Sequence, residues 1–357
     1  MNGTGTAESD PAPGFLRNLW YRAAGADSIR RGQLRRRILL GEPVLLGRAH
    51  DGRSFALRDI CPHRGVPLSA GRMLVENTVE CAYHGWRFRP EGTCTAIPSL
   101  VDGQDIDPSR IQVRAYPLRE QDGLIWIFMG AAKSTDALPV LDPPKVPLKG
   151  AAIPRLVETQ RFRCTMDHAV VGLMDPAHGP FVHQAWYWRS RKSIHAKTKR
   201  FEPSVRGFTM LAHAPSSNSF AYRILGGNVS TEIRFELPGT RFEHIRAGAG
   251  EIVGLTTCTP IDVETTEVTQ TFYWNRARLN LVKPFFRPFV RTFLRQDRAM
   301  VELQRQNLGF DPRLMLIQDA DVPAMWYQRL RKAWTESVAS GRTFVNPVPA
   351  TTLRWRS

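Results

Sequence analysis

Two short cysteine–histidine pairs constrain this chain more than anything else in it. Cys61-Pro62-His63 is followed, with 17 residues between, by Cys81-Ala82-Tyr83-His84. Thiolate and imidazole are the side chains that suit soft and borderline metals. Four of them at this spacing require two tight turns that end facing one another. Gly65 and Gly85 follow the histidines closely, where a ligand loop needs backbone freedom. The cysteines number five (Cys61, Cys81, Cys94, Cys164 and Cys258), so they cannot all pair within the chain. The first 30 residues show no charged-then-apolar leader. In such a chain, cysteines beside histidines read as metal ligands before disulfides.

Two thiolates on one iron and two imidazoles on the other form the ligand set of a Rieske [2Fe–2S] centre. Neutral imidazoles in place of thiolates raise the potential, so such a cluster can accept an electron from a reductase and pass it on. A Cys2His2 structural zinc is the rival, although zinc fingers usually pair Cys with Cys and His with His. Chance is the third reading. The surroundings read as β structure. Residues 43–46 and 54–57 flank Asp51-Gly52, a hairpin signal. Residues 124–129 form an apolar run of buried-strand length. Pro139, Pro143, Pro144 and Pro147 mark 131–150 as a linker.

A second constellation lies beyond it: Asp175-Pro-Ala-His178-Gly-Pro-Phe-Val-His183. Five residues turn a straight helix by about 500°, which leaves the histidines about 140° apart. Binding one metal therefore needs a break, which Gly179-Pro180 is expected to supply while ending a helix over 164–178. Asp175 and His178, three apart, are neighbours on a helix face. Two histidines and a carboxylate make the facial triad of non-haem Fe(II) oxygenases. The bland alternative is two ordinary histidines at a helix end. A distal carboxylate is sought downstream, with Asp297, Glu302 and Asp311 as candidates. Asp167-His168 is a rival pair without a following histidine, and it reads as structural. Strands are expected over 205–276, punctuated by glycines that include Gly226-Gly227, and long helices over 285–306 and 321–337.

The run from Cys61-Pro-His-Arg-Gly-Val-Pro-Leu to Gly71, with Cys81-Ala-Tyr-His-Gly-Trp-Arg-Phe88, closely resembles the Rieske domain of ring-hydroxylating and demethylating oxygenases. Val66 and Tyr83 stand where respiratory-chain Rieske proteins carry disulfide-bonded cysteines, and Arg89 stands where the family often has Asp. The resemblance runs from Phe15 to about Trp334. It is strongest for the branch of vanillate demethylase, dicamba monooxygenase and pheophorbide oxygenase. Asp-Ala-Asp-Val (319–322) before Trp326-Tyr327 is similar to the pheophorbide end of that branch. The resemblance implies an α+β chain in three parts. An N-terminal all-β Rieske domain spans 1–130 and a linker 131–150. A C-terminal helix-grip-like catalytic domain, with an antiparallel sheet and long helices, spans 151–357.

It also implies the chemistry. A [2Fe–2S] cluster would sit on Cys61, His63, Cys81 and His84. A mononuclear Fe(II) would sit on His178, His183 and Asp297. Asp175 would bridge toward the Rieske histidine of a neighbouring subunit, which makes a homotrimer the expected assembly. The implied protein is the oxygenase component of a multicomponent system. It would use O2 for mono- or dioxygenation, hydroxylating or oxidatively demethylating a substrate in aromatic-compound metabolism. No G-x-G-x-x-G follows a strand, so NAD(P)H would act through a separate reductase, with or without a ferredoxin.

Bulk charge bears on partners. Lys+Arg number 49 against 33 Asp+Glu, a net +16. The densest run holds Arg30, Arg31, Arg35, Arg36 and Arg37. A solvated basic face is the plain reading, and docking of an acidic ferredoxin or reductase the functional one. No zinc-finger or RNA-binding signature accompanies the charge, which argues against nucleic acid. No apolar run reaches membrane-spanning length, and the chain reads as cytoplasmic. Residues 283–295 mix aromatic and basic side chains as a membrane-surface segment would. A Rieske electron-transfer or membrane-associated redox protein without oxygenase activity is therefore the alternative. The substrate pocket is expected within 186–280, walled by aromatics such as Trp186, Tyr187, Trp188, Phe208, Phe220 and Tyr222. Asn218, His213 and His195 are candidates to orient a polar group. A small aromatic or polycyclic apolar substrate is expected.

Overall fold

The computed structural model describes residues 14–131, 141–150, 152–183, 194–215 and 228–357. The pocket candidates Trp186, Tyr187, Trp188, Asn218, Phe220 and Tyr222, the Gly226-Gly227 pair and residues 132–140 of the expected linker lie outside them. The chain divides into two compact units, Met1–Glu120 with Ile125–Asp142, and Gln121–Leu124 with Pro143–Ser357.

The first unit is built from short strands: β1 (Leu19–Gly25), β2 (Leu34–Leu39), β3 (Glu42–Arg48), β4 (Ser54–Arg58), β5 (Arg72–Met73), β6 (Val79–Glu80), β7 (Arg87–Phe88), β8 (Cys94–Ala96), β9 (Leu118–Gln121) and β10 (Leu124–Met129). They form three sheets, ordered β1-β10-β9, β2-β3-β4 and β5-β6-β7-β8. The hairpin expected at Asp51-Gly52 joins β3 to β4, with Leu45 opposite Leu57. Every residue of β10 is buried, as its unbroken apolar run requires. Leu45, Phe55, Leu57, Val79 and Phe88 form a core that takes in Cys61 and Cys81. The two cysteine loops therefore hang from a packed β scaffold.

The second unit is one eight-stranded antiparallel sheet with helices. Its strands are β11 (Leu156–Phe162), β12 (Ala196–Ser204), β13 (Gly207–His213), β14 (Val229–Glu236), β15 (Thr240–Ala247), β16 (Gly250–Pro260), β17 (Thr266–Trp274) and β18 (Thr351–Arg356), ordered β11-β17-β16-β15-β14-β13-β12-β18. The edge strands β11 and β18 both lie outside the expected strand region 205–276. β18 returns from the end of the chain to pair with β12, which no local pattern announces.

The helices are α1 (Met166–Met174), α2 (Gly179–Val182), α3 (Lys283–Leu308) and α4 (Val322–Ser340). α3 buries Val290, Leu294 and Val301, a helical-period stripe. Arg291 Nε donates to Glu158 Oε1 on β11 at 2.8 Å and ties that helix to the sheet. α4 buries Trp326, which packs at 5.5 Å from Phe201 and 5.1 Å from Phe208. Phe208 thus belongs to the core here. Among the described residues no helix is long and apolar enough to cross a membrane.

Candidate metal centres

The two cysteine loops have the same backbone design. In the first, Cys61 N–H donates to Val66 O at 2.9 Å and Gly65 N–H to Cys61 O at 2.9 Å. In the second, Cys81 N–H donates to Trp86 O at 2.8 Å and Gly85 N–H to Cys81 O at 3.1 Å. Each loop closes through a glycine in the left-handed region, with φ of 73° at Gly65 and 69° at Gly85. A side chain there is strained, which explains the residue choice.

This design holds both thiols inside and both imidazoles at the rim. Cys61 and Cys81 are buried and free of disulfide. Burial, then the adjoining Cys81, pushes the Cys61 thiol up to about 11. The His63 and His84 rings lie 4.4 Å apart. His84 is held below its ordinary value by desolvation and by the charges of His63 and Arg64, which favours the neutral form a ligand needs. Thiol beside thiol and imidazole beside imidazole is the pairing a two-iron cluster requires. A single zinc would need all four drawn round one point. Among the described residues only the second site brings three ligand atoms within 4.8 Å of one another.

Two contacts here escaped the sequence. The indole of Trp86 stacks on His63 at 4.8 Å and 5°. Buried Asp59 accepts from the Ser69 N–H and hydroxyl, both at 2.7 Å, and from Arg36 at 2.9 Å, which braces the first loop from behind. Arg36, one of the dense basic run, thus has a structural task.

At the second site His178, His183 and Asp297 converge. Their ligand atoms all lie within 4.8 Å of one another. Asp297 Oδ1 is 3.0 Å from His183 Nε2 and 3.6 Å from His178 Nε2, and the two Nε2 atoms are 3.1 Å apart. His178 Nδ1 lies 2.8 Å from the backbone O of Asp175, and a carbonyl can only accept, so Nδ1 carries the proton. His183 Nδ1 donates to Gln296 Oε1 at 3.0 Å. Both Nε2 atoms are then lone pairs aimed at each other and at a carboxylate oxygen. Such a group repels itself unless a cation sits among them, so the donor set fits a metal. Phe293 stacks on His183 at 3.4 Å and 15°. Phe293, Gln296 and Asp297 sit at helical spacing on one face of α3.

The expected break needs correction. Gly179-Pro180 does not end the first helix; it opens α2, with proline in the first turn. α1 ends at Met174, because Asp175 precedes Pro176 and is extended at ψ 116°. His178 and His183 flank one helical turn, and His183 N–H donates to Gly179 O at 3.0 Å. The rings meet because His183 leaves helical geometry at φ −99°, ψ 46°.

The neighbouring candidates are used otherwise. Asp175 Oδ1 accepts from Ala177 N–H at 2.7 Å, and its Oδ2 lies 3.6 Å from His178 Nδ1. Burial alone would lower His178, but Asp175 and Asp297 together hold it above its ordinary value. Asp167 accepts from Tyr327 Oη at 2.8 Å and from Arg331, joining α1 to α4. Glu302 accepts from Arg163 N–H at 3.1 Å, and Asp311 is exposed.

The triad lines a cavity of about 190 Å3. Its wall includes Leu173, Met210, Ile233 and Trp355 together with Lys197, Lys199 and Arg241. His213 lines it, whereas His195 pairs through its backbone with Ser357. The signal for this basic wall is Lys197-x-Lys199-x-Phe201, which has the period of one strand face.

Residues 19–117 match the Rieske [2Fe-2S] domain, and residues 162–337 match the vanillate O-demethylase oxygenase C-terminal domain. Chlorophyllide a oxygenase of Chlamydomonas reinhardtii is 36% identical over 177 residues, 49% of this chain and 25% of that protein. The toluene-4-sulfonate monooxygenase iron-sulfur subunit of Comamonas testosteroni is 44% identical over 116 residues, 32% of each chain. The dicamba O-demethylase oxygenase component of Stenotrophomonas maltophilia is 38% identical over 175 residues, 48% of each. The chain thus spans a quarter to about half the length of these curated relatives. Dicamba monooxygenase bound to dicamba shares the fold, with a TM-score of 0.72 at 22% identity, covering 91% of this chain and 99% of that one. The chain thus carries a Rieske [2Fe-2S] domain followed by a vanillate O-demethylase oxygenase C-terminal domain.

Proposed function

We propose that the chain is the oxygenase component of a multicomponent Rieske system. It takes electrons from a separate NAD(P)H-dependent reductase, directly or through a ferredoxin, and uses O2 to hydroxylate or oxidatively demethylate a small molecule. The observation that carries this reading is the convergence of His178, His183 and Asp297 on the wall of the cavity. A [2Fe–2S] cluster on Cys61, His63, Cys81 and His84 would supply single electrons, and Fe(II) on the triad would supply O2 activation.

The chain's own residues set the conditions for that chemistry. The Asp175 carbonyl and the Gln296 amide oxygen hold protons on the outer ring nitrogens and leave Nε2 of both histidines for the metal. Three protein ligands leave coordination positions open toward the cavity. Phe293 covers one face of His183 and keeps water from that ring. Asp175, with its outer edge partly exposed, is suited to bridge toward the Rieske histidine of a second copy. Exposed Phe285, Phe310, Leu314 and Met315 offer apolar surface for such a copy, which supports a homotrimer. The net +16 suits an acidic electron donor, and the reading places the chain in the cytoplasm with its reductase.

The test is an EPR series on the purified protein, reduced without oxygen and then exposed to nitric oxide. A Rieske signal joined by a high-spin ferrous nitrosyl signal is the expected result. A Rieske signal alone after iron reconstitution would overturn the oxygenase reading in favour of an electron carrier.

A further inference from the structure

The strand β18 lies outside residues 162–337, the span that matches the oxygenase C-terminal domain. Its sequence alternates: Leu353 and Trp355 are buried, Arg354 and Arg356 exposed. Successive side chains of a strand face opposite ways, so the arginines meet solvent and Trp355 turns inward. Register sets the indole opposite Lys197 and Leu353 opposite Lys199. Trp355 and both lysines line the same cavity as His178, His183 and Asp297.

Sheet order sets this wall apart from the metal-binding helix. β18 is one edge of the sheet and β11 the other. α3 lies along β11, where Gln160 Nε2 donates to Arg291 O at 3.0 Å and Arg291 holds Glu158. Every strand from β17 to β18 gives the cavity a side chain, beginning with Gln270 on β17 and ending with Trp355 on β18. The cavity therefore runs across the sheet, and the indole stands at the edge remote from α3.

The indole is pinned there. Its Nε1–H donates to Ser357 Oγ at 3.0 Å, and the Lys197 ammonium donates to the same oxygen at 2.7 Å. Trp355, Lys197 and Ser357 are each at most 9% exposed. The backbone is fixed as well. Ser357 N–H donates to His195 O at 3.2 Å and His195 N–H to Ser357 O at 3.4 Å. Arg354 N–H donates to Asp319 Oδ1 at 3.2 Å. Before the strand, Asn346 Nδ2 donates to Ser204 O at 2.6 Å and to Gly207 O at 2.7 Å, which clamps the segment to the turn between β12 and β13. A close-packed wall held at so many points does not yield to a larger ligand without strain. The cavity has a volume of about 190 Å3. A dry cavity of about 150 Å3 accepts one benzene ring. The space thus suits one substituted ring, and a second fused ring would meet the indole.

We propose that Trp355 is the end stop of the cavity, admitting single-ring molecules and turning away fused two-ring ones. Ser357 is the positioning residue that holds the indole in place. This assignment rests on the oxygenase reading of the same cavity and names what sets its size selectivity.

The experiment titrates the purified holoprotein by calorimetry with phenol and 2-naphthol, both neutral at pH 7. The ferrous nitrosyl EPR signal, which each ligand should perturb, reports arrival beside the metal. On apolar area alone 2-naphthol would bind tighter. In the wild type phenol should instead bind at least about tenfold tighter. Trp355→Ala should reverse the order and move the ratio of the two Kd values about a hundredfold. Trp355→Phe keeps a packed aromatic on the strand and should move the ratio the same way by about threefold to tenfold. Ser357→Ala should also move it that way while leaving phenol within about threefold. Arg356→Gln, on the outward face of the same strand, should change nothing. General loss of stability weakens both ligands together and leaves the ratio alone, so the ratio separates an end stop from a packing role. Three results would overturn the proposal: a wild type that takes 2-naphthol as tightly as phenol, a ratio unmoved by Trp355→Phe and Trp355→Ala, or binding of neither ligand to any of these proteins. With both metals present by EPR, such a result sinks the Trp355 assignment alone. A ratio that moves with Trp355 in a protein lacking the mononuclear iron signal would uphold the end stop and sink the oxygenase reading.

Discussion

Gln296 offers the sharpest test of how the second metal site is organised. Its Oε1 accepts from His183 Nδ1 at 3.0 Å, and His183 is buried. Gln296→Leu keeps the volume and removes the acceptor. A buried N–H without a partner costs about 1–3 kcal/mol. In a domain of roughly 150–250 residues each kcal/mol lowers Tm by about 2–4 °C. The ring also loses the bond that keeps its proton on Nδ1, so Nε2 is no longer held as a lone pair. Loss of such a partner weakens metal binding about 10–100-fold, or about 1.4–2.8 kcal/mol. Gln296→Glu restores an acceptor and a stronger one, so it should recover at least the wild-type affinity. The assay is anaerobic titration of chelator-stripped protein with Fe(II) against a chromophoric competitor, with the visible spectrum confirming an intact cluster. A Gln296→Leu protein that binds Fe(II) within about twofold of wild type would refute the argument. A lowered Tm with unchanged iron affinity would do so as well, by confining Gln296 to a packing role.

Other consequences can be measured directly. Gly85→Ala should cost more than Gly65→Ala: both positions are left-handed, about 1–2 kcal/mol of strain, but a methyl at Gly85 also meets Pro98 at 3.2 Å while Gly65 faces open space. Thermal melts and cluster absorbance will rank them. Trp326→Ala, at the contact of α4 with Phe201 and Phe208, should lose about 3–5 kcal/mol in denaturant unfolding. Stability should fall as pH drops below about 6.5, because burial lowers His168, His213 and His244 from that value. The unfolded chain then binds protons that the folded one refuses, so the contribution is complete above that pH and is lost on acidification. A flat melting profile between pH 7 and 5 would contradict it.

The parts of this protein that are local in the chain could be read without its structure. The cysteine loops are local: ligand, turn glycine and closing hydrogen bond fall within six residues. The hairpin at Asp51-Gly52, the buried β10 and the periodic stripe of α3 are local too. Even the local reading erred where two prolines competed. Gly179-Pro180 and Asp175-Pro176 both signal a boundary, and the helix ends at the second of these, where the residue before proline is extended.

What the sequence by itself determined, then, is the set of ligand types, their loop spacing and the alternation of strands and helices, because each depends on neighbours a few bonds away. The family resemblance already pointed to Asp297 as the distal carboxylate, and tertiary structure brings it to His178 and His183. The docking of α3 turns Asp297 to the histidines while Glu302 caps the Arg163 N–H instead. Tertiary structure also decided the character of the cavity. Lys199, Arg241 and Thr231 lie on three strands brought to one face by register, and β18 closes that sheet from the far end of the chain. Register is a long-range agreement among strands, and no short window of sequence contains it.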